Sequence, residues 1–306
     1  MEFERGIIIR DKTRLEQLVE RFNSKAQAKF YLERAGGDFS FYEQEHNKFY
    51  ESLEIVKASL KSLLKVKELD RSFLPTYIFS KQDLPLVLGQ DGLVANTAKY
   101  VDGLPIVAVN PDAEQYDGVL LPFVPDDLEK TLGRVMKNDY AVKQVTMAEA
   151  KLDDGQSLLA FNDLFIGASS HVSSKYEISH MGKSEEQSSS GVIVSTGAGS
   201  TGWLSSVFNM ANNLNLLSGY SHDLGTHLSW DADQLIFVVR EPFASKSSGI
   251  NIGCGVIRKG EGLQLSSKMS SNGVIFSDGI ESDFLTFNSG SNVTITVSDK
   301  KALIVA

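Results

Sequence analysis

The stretch Leu86–Ala95, LVLGQDGLVA, runs apolar, turns on Gly89, Gln90, Asp91 and Gly92, and runs apolar again. Its first half reads as a strand. The following "GLVANTAKYVDG" has the length of a crossover helix, and "LPIVAVN" supplies the next strand. Strand, helix and strand in that order make a parallel βαβ unit. These strands are apolar throughout instead of alternating, the pattern of a sheet covered on both faces. The turn therefore lies at the carboxyl end of a parallel strand, where open α/β sheets bind ligands. Gly89 and Gly92 permit close approach, and the helix start offers N–H donors to phosphate. At this point Asp91 has two readings, a helix cap or a residue with chemistry of its own.

Working outward, residues 1–125 alternate strand and helix signals. "RGIIIR" (Arg5–Arg10) is a β-branched run, and Asp11 and Thr13 mark the start of the helix that follows. "YESLEIVKASLKSLLKV" spaces Leu53, Val56, Leu60 and Leu63 as one helical face for packing on a sheet. "TYIF" is a further short apolar run. From about Tyr140 the pattern changes to strands separated by Gly, Ser and Asn turns, with one helix beginning near "TGWLSSVFNMANNLNLL". The polar run Lys183–Ser190, "KSEEQSSS", reads as a loop. The expected architecture is an N-terminal Rossmann-like α/β domain with a parallel sheet, residues 1–125, then a mostly-β domain, residues 126–306.

Composition limits the function. The 306 residues carry a net charge of −9 with no basic block, which argues against a nucleic-acid binder. No apolar run is long enough to span a membrane. The N-terminus resembles neither a secretion signal nor an Arg-rich transit peptide, and the single cysteine, Cys254, suits a reducing cytoplasm. The five histidines, His222 and His227 included, show no metal-ligand spacing, so no protein metal site is expected.

Three further places could carry chemistry. In "VSTGAGSTGW" (Val194–Trp203) seven of ten residues are Ser, Thr or Gly, which suits either a pyrophosphate or ribose or an ordinary turn of small residues. The loop lacks the Gly-Lys-Ser/Thr ending of a P-loop. Asn162 and Asp163 interrupt the apolar "AFNDLFIG". Their partners are a ligand, a bulge or neighbouring backbone. Asp278-Gly279 reads as a hairpin turn.

Taken in order, these pieces resemble the NAD kinase family. The family pattern is Gly-Gly-Asp-Gly after a strand, Asn-Glu in a strand, a "STPTGSTAY"-like loop and a late Asp-Gly. Here "GQDG" stands at 89–92, "ND" at 162–163, "STGAGSTGW" at 195–203 and "DG" at 278–279, and the match covers nearly the whole chain. "RDKTRLEQLVERF", "FNDLFIGASSHVSSKYEIS" and "FVVREPFAS" are closest to the mitochondrial-type branch. The resemblance implies transfer of the ATP γ-phosphoryl to the 2′-hydroxyl of the adenosine ribose of NAD, with Mg²⁺ carried on ATP. It implies Asp91 as base and Gly92, Asn162, Asp163, Ser190, Thr201, Trp203 and Ser206 around the dinucleotide. Gly89, Gln90, Gly197, Gly199 and Ser200 would approach phosphate, and a homodimer is expected.

This sequence departs from the pattern in several places. Gln90 stands at a glycine position, Leu93 follows where Thr is common, and Asp163 replaces Glu. Ser190 replaces an Asp, and Trp203 replaces Tyr. The alternatives are a related kinase acting on a lipid or sugar hydroxyl, and an NAD(H)-binding protein without turnover.

Overall fold

The computed structural model describes residues 2–217 and 227–306. The chain divides into two compact units, Met1–Lys143 with Leu303–Ala306, and Gln144–Ala302.

The first unit is built on parallel strands β1 (Arg5–Arg10), β2 (Lys65–Asp70), β3 (Asp83–Leu88) and β4 (Pro105–Val109), in the order β2-β1-β3-β4. Leu303 and Ile304 pair in parallel with Pro105 and Ile106. Ile7–Ile9, Leu84, Leu86–Leu88 and Ile106–Val109 are buried, as an all-apolar pattern requires. Helix α1 (Arg14–Phe22) starts in a capping box: Thr13 accepts from the Glu16 N–H while the Glu16 carboxylate accepts from the Thr13 N–H. Helix α2 (Lys25–Arg34) follows. Helix α3 (Phe39–Lys61) then lays Leu53, Val56 and Leu60 into a core with Ile8, Leu84, Leu86 and Val107. Leu63 is not part of that face, since the helix ends at Lys61; Leu63 is exposed and Leu64 is buried instead.

Helix α4 (Asp91–Ala98) connects β3 to β4 as the βαβ reading requires. "TYIF", however, is not a strand. The sheet takes the polar segment "KVKELD" as β2, and Ile78 is exposed. An edge strand has one neighbour and open faces, so burial does not demand an apolar sequence there. The division between units also falls later than residue 125. Helix α5 (Leu128–Met136) contributes Leu128, Leu132 and Val135 to the first core, which holds it in the first unit.

The second unit comprises β5 (Val142–Leu152), β6 (Ser157–Ala160), β7 (Asp163–Ala168), β8 (Ser174–His180), β9 (Lys183–Ser189), β10 (Val192–Ser195), α6 (Trp203–Leu217) and β11 (Gln234–Val239). It continues with β12 (Cys254–Arg258), β13 (Leu263–Ser267), β14 (Gly273–Ser277), β15 (Ile280–Thr286) and β16 (Asn292–Val305), whose last residues belong to the first unit. One antiparallel sheet runs β12-β11-β10-β7-β14-β15. A second joins β16, β13, β8 and β9, with β5 pairing β16 and β6. Leu164, Ile166, Val192 and Val194 of the first sheet and Tyr176, Ile178, Leu265 and Ile295 of the second share one core. The expected loop "KSEEQSSS" is largely β9, paired with β8 from Ser174↔Ser189 to His180↔Lys183. It is again a polar edge strand. The α/β-then-β organisation agrees with the sequence reading. Among the described residues no helix is long and apolar enough to cross a membrane.

Candidate functional site

The residues singled out by sequence fall into two clusters, one in each unit. In the first, β3 ends fully buried and the chain turns at Gly89, whose N–H donates to the Val109 carbonyl at 3.3 Å. Gln90 takes the N-cap position of α4 in extended backbone, without a capping bond from its side chain. Asp91 is the first helical residue, so it is not the cap. Its carboxylate instead accepts the Leu120 N–H at 2.8 Å and the Val119 N–H at 3.2 Å, gripping the loop that follows β4. Gly92 is exposed, and a Cβ there would meet nothing within 4 Å. Among the described residues no packing calls for glycine at that position.

The loop held by Asp91 has its own frame. Asn110 is buried; its Oδ1 accepts the Asp112 N–H at 3.0 Å and its Nδ2 donates to the Tyr116 carbonyl at 2.9 Å. Gly118 turns the chain at φ +61°, where a Cβ would lie 2.6 Å from Asn110 Nδ2.

The second cluster brings together segments far apart in sequence. Asn162 occupies the short step between β6 and β7, and Asp163 begins β7. Asp278 and Gly279 do form the hairpin turn between β14 and β15, at φ +54° and +71°. The Asp278 carboxylate does more than turn the chain. Its Oδ1 accepts from the Asn162 N–H at 2.6 Å and the Asp163 N–H at 3.3 Å, and its Oδ2 accepts from the Phe161 N–H at 3.1 Å. Thr196 fastens the same corner: its N–H donates to the Asn162 carbonyl at 2.9 Å and its hydroxyl to the Phe161 carbonyl at 2.6 Å. Neither role has a local sequence signal, since an Asp-Gly pair and a lone Thr read as turn residues wherever they occur.

Asp163 is the electrostatic outlier of this cluster. Burial drives its carboxyl up from 3.8 to about 7; a hydrogen bond with Ser195 opposes the shift and the nearby Asp278 charge adds to it. Its Oδ1 is buried without a hydrogen-bond partner among the described residues. A buried carboxyl with a spare oxygen is a group prepared for a further donor.

Gly197 and Gly199 of the 195–203 loop face protein, not open space. A Cβ on Gly197 would stand 2.0 Å from the Ser229 carbonyl oxygen, and one on Gly199 would stand 2.3 Å from that of Asn162. The Gly199 N–H donates to Thr196 Oγ1 at 3.2 Å, and both the N–H and the hydroxyl of Ser200 donate to the Gly197 carbonyl. The loop closes into a short 3₁₀ turn over Ala198–Thr201, and that tight turn uses the Gly199 and Ser200 donors internally. Both N–H groups are engaged within the loop. Gly199→Ala is expected to destabilise the protein by about 1–3 kcal/mol, since the obstructing atom is backbone. Urea unfolding measures it, and an unchanged midpoint would show that the corner can relax.

Beyond the loop, Trp203 opens α6 and stacks on Phe165 with ring centroids 5.9 Å apart at 13°. Phe165 stacks in turn on Phe276 at 4.9 Å, and the Arg240 guanidinium lies 5.5 Å from the Trp203 ring centre. Thr201 and Ser206 are exposed. Ser190 sits beyond the opposite end of β10 from Ser195, where its N–H donates to the Arg240 carbonyl at 2.9 Å and its hydroxyl donates to the Glu241 carboxylate. Among the described residues no three His, Cys, Asp or Glu side chains are grouped to hold a metal ion. His222 lies outside the described residues.

No protein-family model matches the chain. An NAD kinase of Heliobacterium modesticaldum is 33% identical over 129 residues, 40% of this chain and 44% of the relative. An NAD kinase of Caldanaerobacter subterraneus is 31% identical over 134 residues, 41% and 46% of the two chains. These alignments span less than half the length of the curated relatives. Similarity of fold extends further. The yeast NADH kinase complexed with NADH superposes with a TM-score of 0.60 at 15% identity, covering 100% of this chain and 84% of that one. The Archaeoglobus fulgidus NAD kinase in complex with ATP gives 0.56 at 14% identity, covering 99% and 93%. The fold of this chain is that of NAD(H) kinases.

Proposed function

We propose that this protein is a kinase that transfers the γ-phosphoryl group of ATP to the 2′-hydroxyl of the adenosine ribose of NAD, forming NADP. The observation that supports this reading most is the second cluster. Asn162-Asp163, the 195–203 loop and Asp278, separate motifs in the sequence, are hydrogen-bonded at one corner of a chain with the NAD(H) kinase fold. In the proposed reaction the ribose oxygen forms its bond to the γ-phosphorus while the bond from that phosphorus to the bridging oxygen of ADP breaks. The hydroxyl proton passes to the Asp91 carboxylate. An ordinary aspartate is a weak base, so its contribution rests on placement more than on basicity. Phosphoryl transfer asks a protein chiefly for positioning and charge neutralisation. On this reading Mg²⁺ would arrive on the ATP phosphates and neutralise part of their charge.

On this reading Asn162 and Asp163 hold the adenosine end, with the spare Asp163 oxygen accepting from a ribose hydroxyl. Gly92, Thr201, Trp203 and Ser206 line the dinucleotide, Ser190 contacts it from the far end of β10, and Gly89 and Gln90 receive phosphate. Gly197, Gly199 and Ser200 shape the loop.

The test is a coupled assay for NADP and NADPH formation, with ATP varied against polyphosphate as donor and NAD against NADH as acceptor. ATP-dependent NADP formation is expected. Phosphorylation of a lipid or sugar hydroxyl instead would move the protein to another branch of these kinases, and dinucleotide binding without any product would remove the kinase reading.

A further inference from the structure

Arg240, one residue beyond β11, joins the two ends of β10. Its main chain exchanges two hydrogen bonds with the start of that strand. The Ser190 N–H donates to the Arg240 carbonyl at 2.9 Å, and the Arg240 N–H donates to the Gly191 carbonyl at 2.8 Å. Its side chain lies over Trp203, where the loop leaving the other end of β10 enters α6, with the guanidinium carbon 5.5 Å from the ring centre. That ring is itself fixed, since Trp203 stacks on Phe165 and Phe165 on Phe276. Phe165 in turn packs against Gly191 at φ +101°, where a Cβ would stand 2.6 Å from the phenylalanine ring. The Arg240 guanidinium makes no hydrogen bond or ion pair among the described residues. The adjacent carboxylate does not serve it. Glu241 adopts φ +50°, uncommon for a residue with a Cβ, and its carboxylate accepts from the Ser190 hydroxyl.

We infer that Arg240 binds the diphosphate of the dinucleotide substrate. The inference rests on the kinase reading, which sets Ser190 and Trp203 around that substrate; Arg240 touches both. A dinucleotide carries its two phosphates between its two nucleosides, so a cation joining the residues that flank it meets the anionic middle of the molecule. A guanidinium resting on an aromatic ring keeps its in-plane N–H donors for a fork onto phosphate oxygens. The contact with Trp203 also orders the side chain before the ligand arrives, so less freedom is lost on binding. The net charge of −9 gives a phosphate no general attraction, and an uncompensated cation at the site supplies it locally. Ser190 has a part in this. By holding Glu241, its hydroxyl keeps a carboxylate from neutralising the guanidinium next to it.

The experiment measures Kd by calorimetry for NAD, ADP-ribose, ATP and adenosine in wild type, Arg240→Met, Arg240→Lys and Glu241→Gln. Methionine keeps an unbranched apolar cover over Trp203 and removes the charge. Arg240→Met is expected to weaken NAD and ADP-ribose about ten- to thirtyfold, the loss of one charge-assisted fork, while ATP and adenosine stay within about twofold. Arg240→Lys is expected to regain part of that loss, as a point charge without the fork. Glu241→Gln, a change at an exposed side chain, is expected to bind ADP-ribose as tightly as wild type or a few-fold tighter, since it removes a like charge beside the ligand. Unchanged ADP-ribose affinity in Arg240→Met, an equal loss for adenosine, no recovery with lysine, or weaker binding in Glu241→Gln would each overturn the inference. A loss confined to ATP would put the guanidinium on the donor's phosphates and overturn it too, as would a wild-type protein that binds no ADP-ribose. None of these readings needs turnover. A protein that binds ADP-ribose through Arg240 and forms no NADP loses the kinase reading and keeps this site.

Discussion

Asp91→Asn is expected to lower kcat for NADP formation by about 10²–10⁴-fold, the span that removal of a positioned proton acceptor commonly costs. NAD affinity, measured by calorimetry, is expected to stay within a few-fold of wild type. The substitution separates two roles that the structure combines in one side chain. As an anchor, the carboxylate accepts from two backbone donors, Leu120 at 2.8 Å and Val119 at 3.2 Å. Asparagine keeps one acceptor oxygen for the closer donor and sets an NH₂ against the other N–H. The loop therefore loses about one hydrogen bond, of the order of 1 kcal/mol. As a base, asparagine has nothing to offer. A large fall in kcat beside a small fall in stability assigns catalysis to the carboxylate; matching falls in both would make Asp91 an anchor and no more. Asp91→Ala removes both roles and is expected to be the less stable of the two variants.

How much of this was legible in the sequence follows from where burial leaves a signature. Strands β1, β3 and β4 are covered on both faces, and their unbroken apolar runs show it. The edge strands β2 and β9 are polar because only one neighbour constrains them, and polarity hid both. The first unit claims α5 and the chain's last residues through contacts with strands distant in sequence. An amphipathic helix shows that it packs, not on what. In the candidate site the motif residues were readable and their partners were not. Asp278 looks like a turn residue because it is one; its grip on three consecutive amides depends on β14 lying beside β7. The loop on Asp91 depends on a left-handed Gly118 and a buried Asn110, neither of which points to residue 91 locally. Glycines 197 and 199 suggest a phosphate cradle by composition, whereas the atoms they admit are the protein's own carbonyls.

The pH dependence of stability offers the second large effect, and it turns on Asp163. In the native protein its carboxyl titrates at about 7, against 3.8 for an unperturbed group, because ionising it means placing charge in a buried site near another carboxylate. Between those values the native state holds a proton that the unfolded chain has lost. Stability therefore falls as pH rises through that window, the reverse of the usual salt-bridged aspartate, and the full penalty is present above pH 7. About three pH units at about 1.4 kcal/mol each set an upper bound of about 4 kcal/mol. Asp163→Asn removes the ionisation while keeping the shape. It is expected to be more stable than wild type at pH 8, by up to that amount, with the difference shrinking as pH falls and gone near pH 4. Urea titrations of both proteins across this range measure it. A difference that does not change with pH would mean that Asp163 titrates alike in both states and that Asp278 exerts no electrostatic pressure on it. The penalty is also one that a ligand can relieve. A ribose hydroxyl donating to the unpartnered oxygen would stabilise the ionised form, so in wild type, but not in Asp163→Asn, NAD is expected to raise stability more at pH 8 than at pH 5.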